Sequence, residues 1–231
     1  MNKRGFTLAE ILITLGIVGV IAALTMPVLV TNSRNQANAS RLSATVSSLE
    51  NAFTSAVARD GASDIYETDL WESFDTKFVD LIQASKYDGD KFYGDIVIKG
   101  LNRGKATTPS GTVFLLKSGA TVFVSDVKAD PPDDKTEVAT LGGALHSPAA
   151  TITIDVNGTS APNMYGRDIF FYKLGDNGHL YPYGGRDVSI AIGGKTDNLW
   201  TNAEGHDACL PSSEGSGCAA RLMEEGYKMN Y

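Results

Sequence analysis

The sequence predicts an α+β protein in which one very long N-terminal helix packs on an antiparallel β-sheet head. Three observations lead to this. Residues 11–30 form an almost continuous apolar run. Leu42, Val46, Leu49, Phe53 and Val57 then recur at spacings of four, three, four and four, the pattern of one buried helix face. After residue 111, β-rich segments alternate with turn residues. A long helix followed by several strands is an α+β order.

The chain has 231 residues, 42% of them hydrophobic and 20% charged, so it is neither disordered nor fibrous and suits one or two domains. A net charge of -7 argues against nucleic acid, whose phosphates need clustered Lys and Arg. Residues 60–69 and 126–137 read as solvated acidic loops.

The apolar run from Ile11 to Val30 matches the roughly 20 helical residues needed to cross a hydrocarbon core of about 30 Å. Lys3 and Arg4 precede it, which keeps the N-terminus cytoplasmic and sends the rest outward. A secretory signal peptide has a shorter apolar core and an Ala-x-Ala-like cut, neither of which is present. A plain anchor fits the length but does not explain Glu10, a carboxylate that would be costly at the centre of a span and is less so near the interface.

Glu10 closes the frame Lys3-Arg4-Gly5-Phe6-Thr7-Leu8-Ala9-Glu10. That frame resembles the prepilin-type processing motif of type IV pilins and type II secretion pseudopilins. The resemblance implies cleavage between Gly5 and Phe6, methylation of the new amine on Phe6, and a pilin-like fold. Glu10 falls fifth after the cut, where the family has its glutamate. Pro27 falls where many pilins carry a helix-kinking proline. Ala9 departs from the bulkier apolar residue usual there. The resemblance covers only about the first 30 residues.

Removing residues 1–5 deletes Lys3 and Arg4 and leaves an amine directly on an apolar helix. Such a helix, drawn from the bilayer, recovers about 25 cal/mol per Å² by packing with its own copies. A buried Glu10 then needs a counter-charge. The family's proposed partner is a neighbouring subunit's N-terminal amine, here that of Phe6, which would set subunit register.

The expected organisation is therefore a basic leader (1–5), a membrane or filament-core half-helix (6–30), an amphipathic half-helix (31–59) and an α+β head (60–231). No Gly or Pro interrupts residues 28–60, and Gly61 is the expected stop. Pro27 should kink or loosen the helix, since it lacks an N–H. In the head, residues 74–82 read as a short helix or an apolar flap. Thr112–Leu116 and Thr121–Val127 read as a hairpin across Lys117-Ser118-Gly119-Ala120. Thr151–Val156, Ile169–Leu174 and Ser189–Ile192 are further strands, and Ala219–Glu225 is a short helix stopped by Gly226. Extra length relative to the smallest pilin heads falls in residues 61–110 and 129–149.

Catalysis has no positive support. Ala191–Thr196 ends like a phosphate-binding loop, but Ser189 stands where the first glycine is needed. His146, His179 and His206 lie in no metal-binding spacing, and no Gly-x-Ser-x-Gly elbow is present. Asp155-Val156-Asn157-Gly158 with Asn163 and Asp168 resembles part of a calcium loop, although Gly158 comes too early for an EF-hand and no Glu sits at the twelfth position. The competing reading is a tight turn in which Asp and Asn bond backbone N–H groups. Related pseudopilins bind calcium in a head loop, which adds weight to the metal without displacing the turn as the expected reading. No other cofactor is implied. Cys209 and Cys218 read as a disulfide if the chain is exported, and they resemble the C-terminal disulfide region of many pilins. Trp200, Tyr227 and Tyr231 are expected to pack this segment on the head. The sequons at Asn38 and Asn157 are too common by chance to carry weight.

Two functions fit. One is a structural subunit of a type IV pilus or a type II secretion-like pseudopilus. Its partners would be its own copies, the prepilin peptidase/methyltransferase, the assembly machinery and the inner membrane before assembly. The other is a monomeric, membrane-anchored exported binding domain or hydrolase, which the frame at Gly5–Glu10 disfavours. The mature chain is expected to begin at N-methylated Phe6, and N-terminal mass spectrometry tests this. An intact Met1, or a cut beyond Val20, would overturn it. A bulky residue at Gly5 should block the cut.

Overall fold

The computed structural model describes residues 7–129, 139–141, 144–146, 148–185, 200 and 208–231. Helix α1 runs from Leu8 to Asp60, 53 residues, or about 80 Å at 1.5 Å per residue. It is unbroken through Pro27, which has no N–H to give to the carbonyl of Ala23. The Thr14, Thr25 and Thr31 hydroxyls each bond the carbonyl four residues back, at 2.9, 3.0 and 2.9 Å, so no hydroxyl of the apolar run is left open. The helix closes at Gly61 (φ 63°), whose N–H reaches the carbonyls of Ala58 and Val57.

The two halves of α1 face different surroundings. Asn38, Ala39, Leu42, Thr45, Val46, Leu49, Phe53 and Ala56 are buried at a three-four spacing against the head. Every large apolar side chain from Leu8 to Val30 is instead 45–81% exposed.

The main sheet is antiparallel throughout, in the order β1-β2-β3-β6-β7-β8. Its strands are β1 (Ser85–Tyr87), β2 (Thr112–Leu115), β3 (Thr121–Ser125), β6 (Pro148–Asp155), β7 (Ile169–Gly175) and β8 (Leu180–Pro182). A separate hairpin of β4 (Ala139–Leu141) and β5 (Ala144–His146) is carried between β3 and β6. Residues 130–138, 142–143 and 147, and the expected strand at Ser189–Ile192, lie outside the described residues.

Period-two alternation divides the sheet into two faces. Phe114, Val122, Val124, Ile152, Ile154, Phe170, Tyr172 and Leu174 share the main core with α1 and with α3 (Phe74–Ile82). Between α1 and α3 lie a 3₁₀ turn (Ile65–Glu67) and a one-turn helix α2 (Asp69–Glu72), the latter capped by the Thr68 hydroxyl. Phe78 stacks on Phe53 of α1 (5.3 Å between centroids) and meets Phe114 edge-on (4.8 Å), so three elements meet at one aromatic cluster. The opposite face presents Val113, Phe123 and Ile169 to Tyr93, Ile98, Ala106 and Tyr165. These come from the segment after β1, which includes the short helix α4 (Gly89–Phe92), and from the loop between β6 and β7. The sheet is therefore covered on both faces.

The turn between β7 and β8 presses directly on the helix backbone. A Cβ at Gly178 (φ 80°) would come within 3.2 Å of the backbone at Phe53 and Thr54, so a side chain there would push the turn off α1. Glu50 completes the contact by accepting the Leu180 N–H at 3.1 Å.

Cys209 and Cys218 are bridged and fully buried. Cys218 opens helix α5 (Cys218–Glu224), whose Arg221 donates to the Cys209 carbonyl at 2.8 Å. The same guanidinium lies over the rings of Trp200 (5.4 Å) and Tyr231 (4.8 Å), so the aromatic residues of this segment pack around one cation. Closing a loop this short is worth roughly 2.5–3 kcal/mol by the chain-entropy relation. Cys218→Ser is therefore expected to lower the melting temperature of the head by several degrees while leaving helical circular dichroism intact. Two free thiols in non-reducing peptide maps of protein from the cell surface would contradict the bridge.

Candidate functional site

The candidate residues fall at two places. At the start of α1, Thr7 is the N-cap and Glu10 is the third helical residue. The pair forms a reciprocal capping box. The Glu10 carboxylate accepts from the Thr7 N–H (2.8 Å) and hydroxyl (3.0 Å), and the Glu10 N–H donates back to Thr7 Oγ1 (3.3 Å). Among the described residues Glu10 thus has hydrogen bonds but no counter-charge. Gly5 and Phe6 lie outside the described residues. Pro27 sits well inside the exposed half of the helix.

The second place is the loop leaving β6. Asp155 ends β6 and pairs in register with Thr121 on one side and Ile169 on the other. Asp168 immediately precedes β7, so the sheet itself brings the two carboxylates near each other. Both are fully buried. Asp155 accepts the Tyr93 hydroxyl at 2.6 Å and the Asn157 N–H at 3.1 Å. Asp168 accepts the N–H groups of Asn163 (2.8 Å) and Met164 (2.7 Å), and the Asn157 side chain also bonds it. Burial pushes the Asp155 carboxyl up to about 7, and the neighbouring charge of Asp168 adds to this. Burial likewise pushes Asp168 up to about 6, against the N–H groups that favour its charged form.

The three residues singled out for calcium, Asp155, Asn157 and Asp168, are therefore joined in one network. Asn163 joins them. Asn157 Oδ1 and Asn163 Oδ1 are buried with no hydrogen-bond partner, as is Thr121 Oγ1 across the ladder from Asp155. Unpartnered buried oxygens beside two carboxylates call for a donor or a cation. Two carboxylates and two amide oxygens are hard donors that fit calcium. Among the described residues no three His, Cys, Asp or Glu side chains gather into a metal-binding group, so any cation here would draw on the amides. Tyr93 lies 62 residues before its acid, and no local pattern marks it in the sequence. Asn163, eight residues after Asp155, belongs to the loop that the sequence singles out.

Residues 1–26 match the family model for the prokaryotic N-terminal methylation motif, the signature of type IV pilins and pseudopilins. The chain thus carries the start of a type IV pilin- or pseudopilin-like precursor, and its layout of long helix, antiparallel sheet and C-terminal disulfide is pilin-like. The motif implies processing by a prepilin peptidase and assembly into a pilus-type polymer, and the apolar helix is consistent with membrane anchoring and export. No curated protein and no solved structure matches the chain.

Proposed function

We propose that this protein is a structural subunit of a type IV pilus or a type II secretion-like pseudopilus, cut after Gly5, N-methylated on Phe6, held in the inner membrane with its head exported, and assembled through α1. The observation that carries this is the helix of two halves. The exposed apolar side chains from Leu8 to Val30 would each give back roughly 1.5–3 kcal/mol on burial, a total beyond the 5–15 kcal/mol stability of a typical domain. Such a surface needs a bilayer or a sheath of its own copies. Gly5-Phe6 and Glu10 favour passage from the first to the second. Glu10 leaves its capping box for the Phe6 amine of a neighbour, and Thr7 remains as N-cap. Glu10→Leu is therefore expected to insert normally and to lower filament yield at least tenfold, read by shearing and immunoblotting. Normal yield would exclude a registry role for Glu10.

The loop at residues 155–168 supports a second element of this reading, a calcium ion held by Asp155, Asn157, Asn163 and Asp168. An ion there would offset the repulsion of two buried carboxylates and fasten the loop that covers the outer sheet face. Calcium is expected to raise the melting temperature by several degrees and a chelator to reverse this. Asp168→Asn should abolish the calcium-dependent shift. A melting temperature indifferent to calcium and chelator would leave the tight-turn reading in its place.

A further inference from the structure

We propose that the face of the head nearest the apolar run is a binding site for anionic phospholipid headgroups. A cavity of about 850 Å³ lies between α1 and the loops that follow β6 and precede β2. Arg34, Arg41, Arg103 and Arg167 line it, and no Asp or Glu does, in a chain whose net charge is -7. Arg34, Arg41 and Arg103 are exposed and have no ion pair among the described residues. Arg167 is fixed differently. Its guanidinium lies over the Tyr231 ring (5.2 Å) and bonds the Tyr231 carbonyl, while its own carbonyl accepts the Asn38 side-chain N–H of α1 at 3.1 Å. One wall of the cavity is thus tied to the helix that forms the other.

Position identifies the occupant. The lining begins at Thr31, the residue that follows the apolar run. Arg34 lies four residues beyond Val30, about 6 Å along the helix, which is the depth of a headgroup layer. Arg41 is two turns further on the same face. From Ile11 to Leu49 the helix contains no acidic residue, and once the leader is removed Arg34 and Arg41 are the only basic residues flanking the span up to the head. A guanidinium cluster at this depth meets lipid phosphates, which Arg binds in a planar, two-pronged geometry. Headgroups held there would seat the head upright on the bilayer before assembly. The inference rests on the membrane reading above.

The full-length chain in non-ionic detergent is offered an equimolar mixture of phosphatidylglycerol and phosphatidylcholine, and retained lipids are counted by native mass spectrometry. Wild type is expected to enrich the anionic lipid about tenfold or more, since each arginine at an anionic surface is worth roughly fivefold. The triple variant Arg34→Gln, Arg41→Gln, Arg103→Gln should show no preference, with the disulfide intact as a check on folding. No enrichment by wild type, or enrichment unchanged in the variant, overturns the proposal. Displacement of the lipid by millimolar inorganic phosphate would make this a free-anion site and also overturn it. Loss of self-association in the variant, without lipid enrichment in wild type, would assign the cavity to an acidic face of a second copy instead. Carbonate extraction of membranes tests insertion separately, so a failure of the membrane reading is distinguishable from a failure of the lipid site.

Discussion

Helix α1 carries apolar surface that must be covered along its whole length, and the described residues of the chain cover only the second half. From Asn38 to Ala56 the covering comes from the sheet and from α3. From Leu8 to Val30 none of the described residues does it. The head is arranged to make the first covering secure. The aromatic cluster of Phe53, Phe78 and Phe114, the close approach at Gly178 and the Glu50 hydrogen bond all act on one stretch of helix, residues 50–54. These contacts fasten the upper part of the helix to the head, while on the proposed reading the lower part is left to join subunits.

Covering the sheet on both faces has a cost. The outer cover is short of helix, with only the single turn of α4, and so its backbone is satisfied by loop-to-loop bonds. The N–H of Lys99 reaches the Asn163 carbonyl (3.0 Å), Tyr165 returns one to Lys99 (2.9 Å), and Leu101 reaches Glu214 (2.8 Å). The carboxylates of Asp155 and Asp168 serve the same end, accepting the N–H groups of Asn157, Asn163 and Met164 that the turn would otherwise leave unpaired. Two buried acids so close together are electrostatically expensive. A cation at the unpartnered amide oxygens would convert that expense into a fastening.

Elements with a strong period were legible in the sequence. The stripe from Leu42 to Val57 and the alternation in β2, β3, β6 and β7 come from residues that are buried on one side or both. The sequence did not reveal the separate hairpin of β4 and β5, and within the main sheet it missed the two edges. β1, Ser85-Lys86-Tyr87, is exposed at every position, and β8 is three residues long and ends in Pro182. Short edges carrying Lys or Pro resist pairing with another chain, and the same features erase the alternation by which a strand is recognised. At the sites, Glu10, Asp155, Asn157 and Asp168 stood out because their signals are local. Tyr93 and the four arginines of the basic cavity did not, because they are brought together only by the fold. Arg103 and Arg167 are 64 residues apart and belong to no shared pattern.

The position of Glu10 also gives a physical reason for cutting the chain on the proposed reading. Ahead of assembly, Glu10 sits at the edge of the apolar run, where a carboxylate costs little, and Thr7 supplies two hydrogen bonds. In a filament core it is buried, and hydrogen bonds to a neutral partner do not offset a buried charge. The nearest cation in the mature chain is Arg34, 24 residues on, or about 36 Å along the helix. Lys3 and Arg4 are close in sequence, but their two charges must stay in water and would hold the helix in the membrane. Removing them and exposing the amine of Phe6 replaces two solvated cations with one at the level of the glutamate. Methylation leaves that amine charged and reduces its hydration. On the proposed reading the cut would therefore release the helix and create its counter-charge in one step.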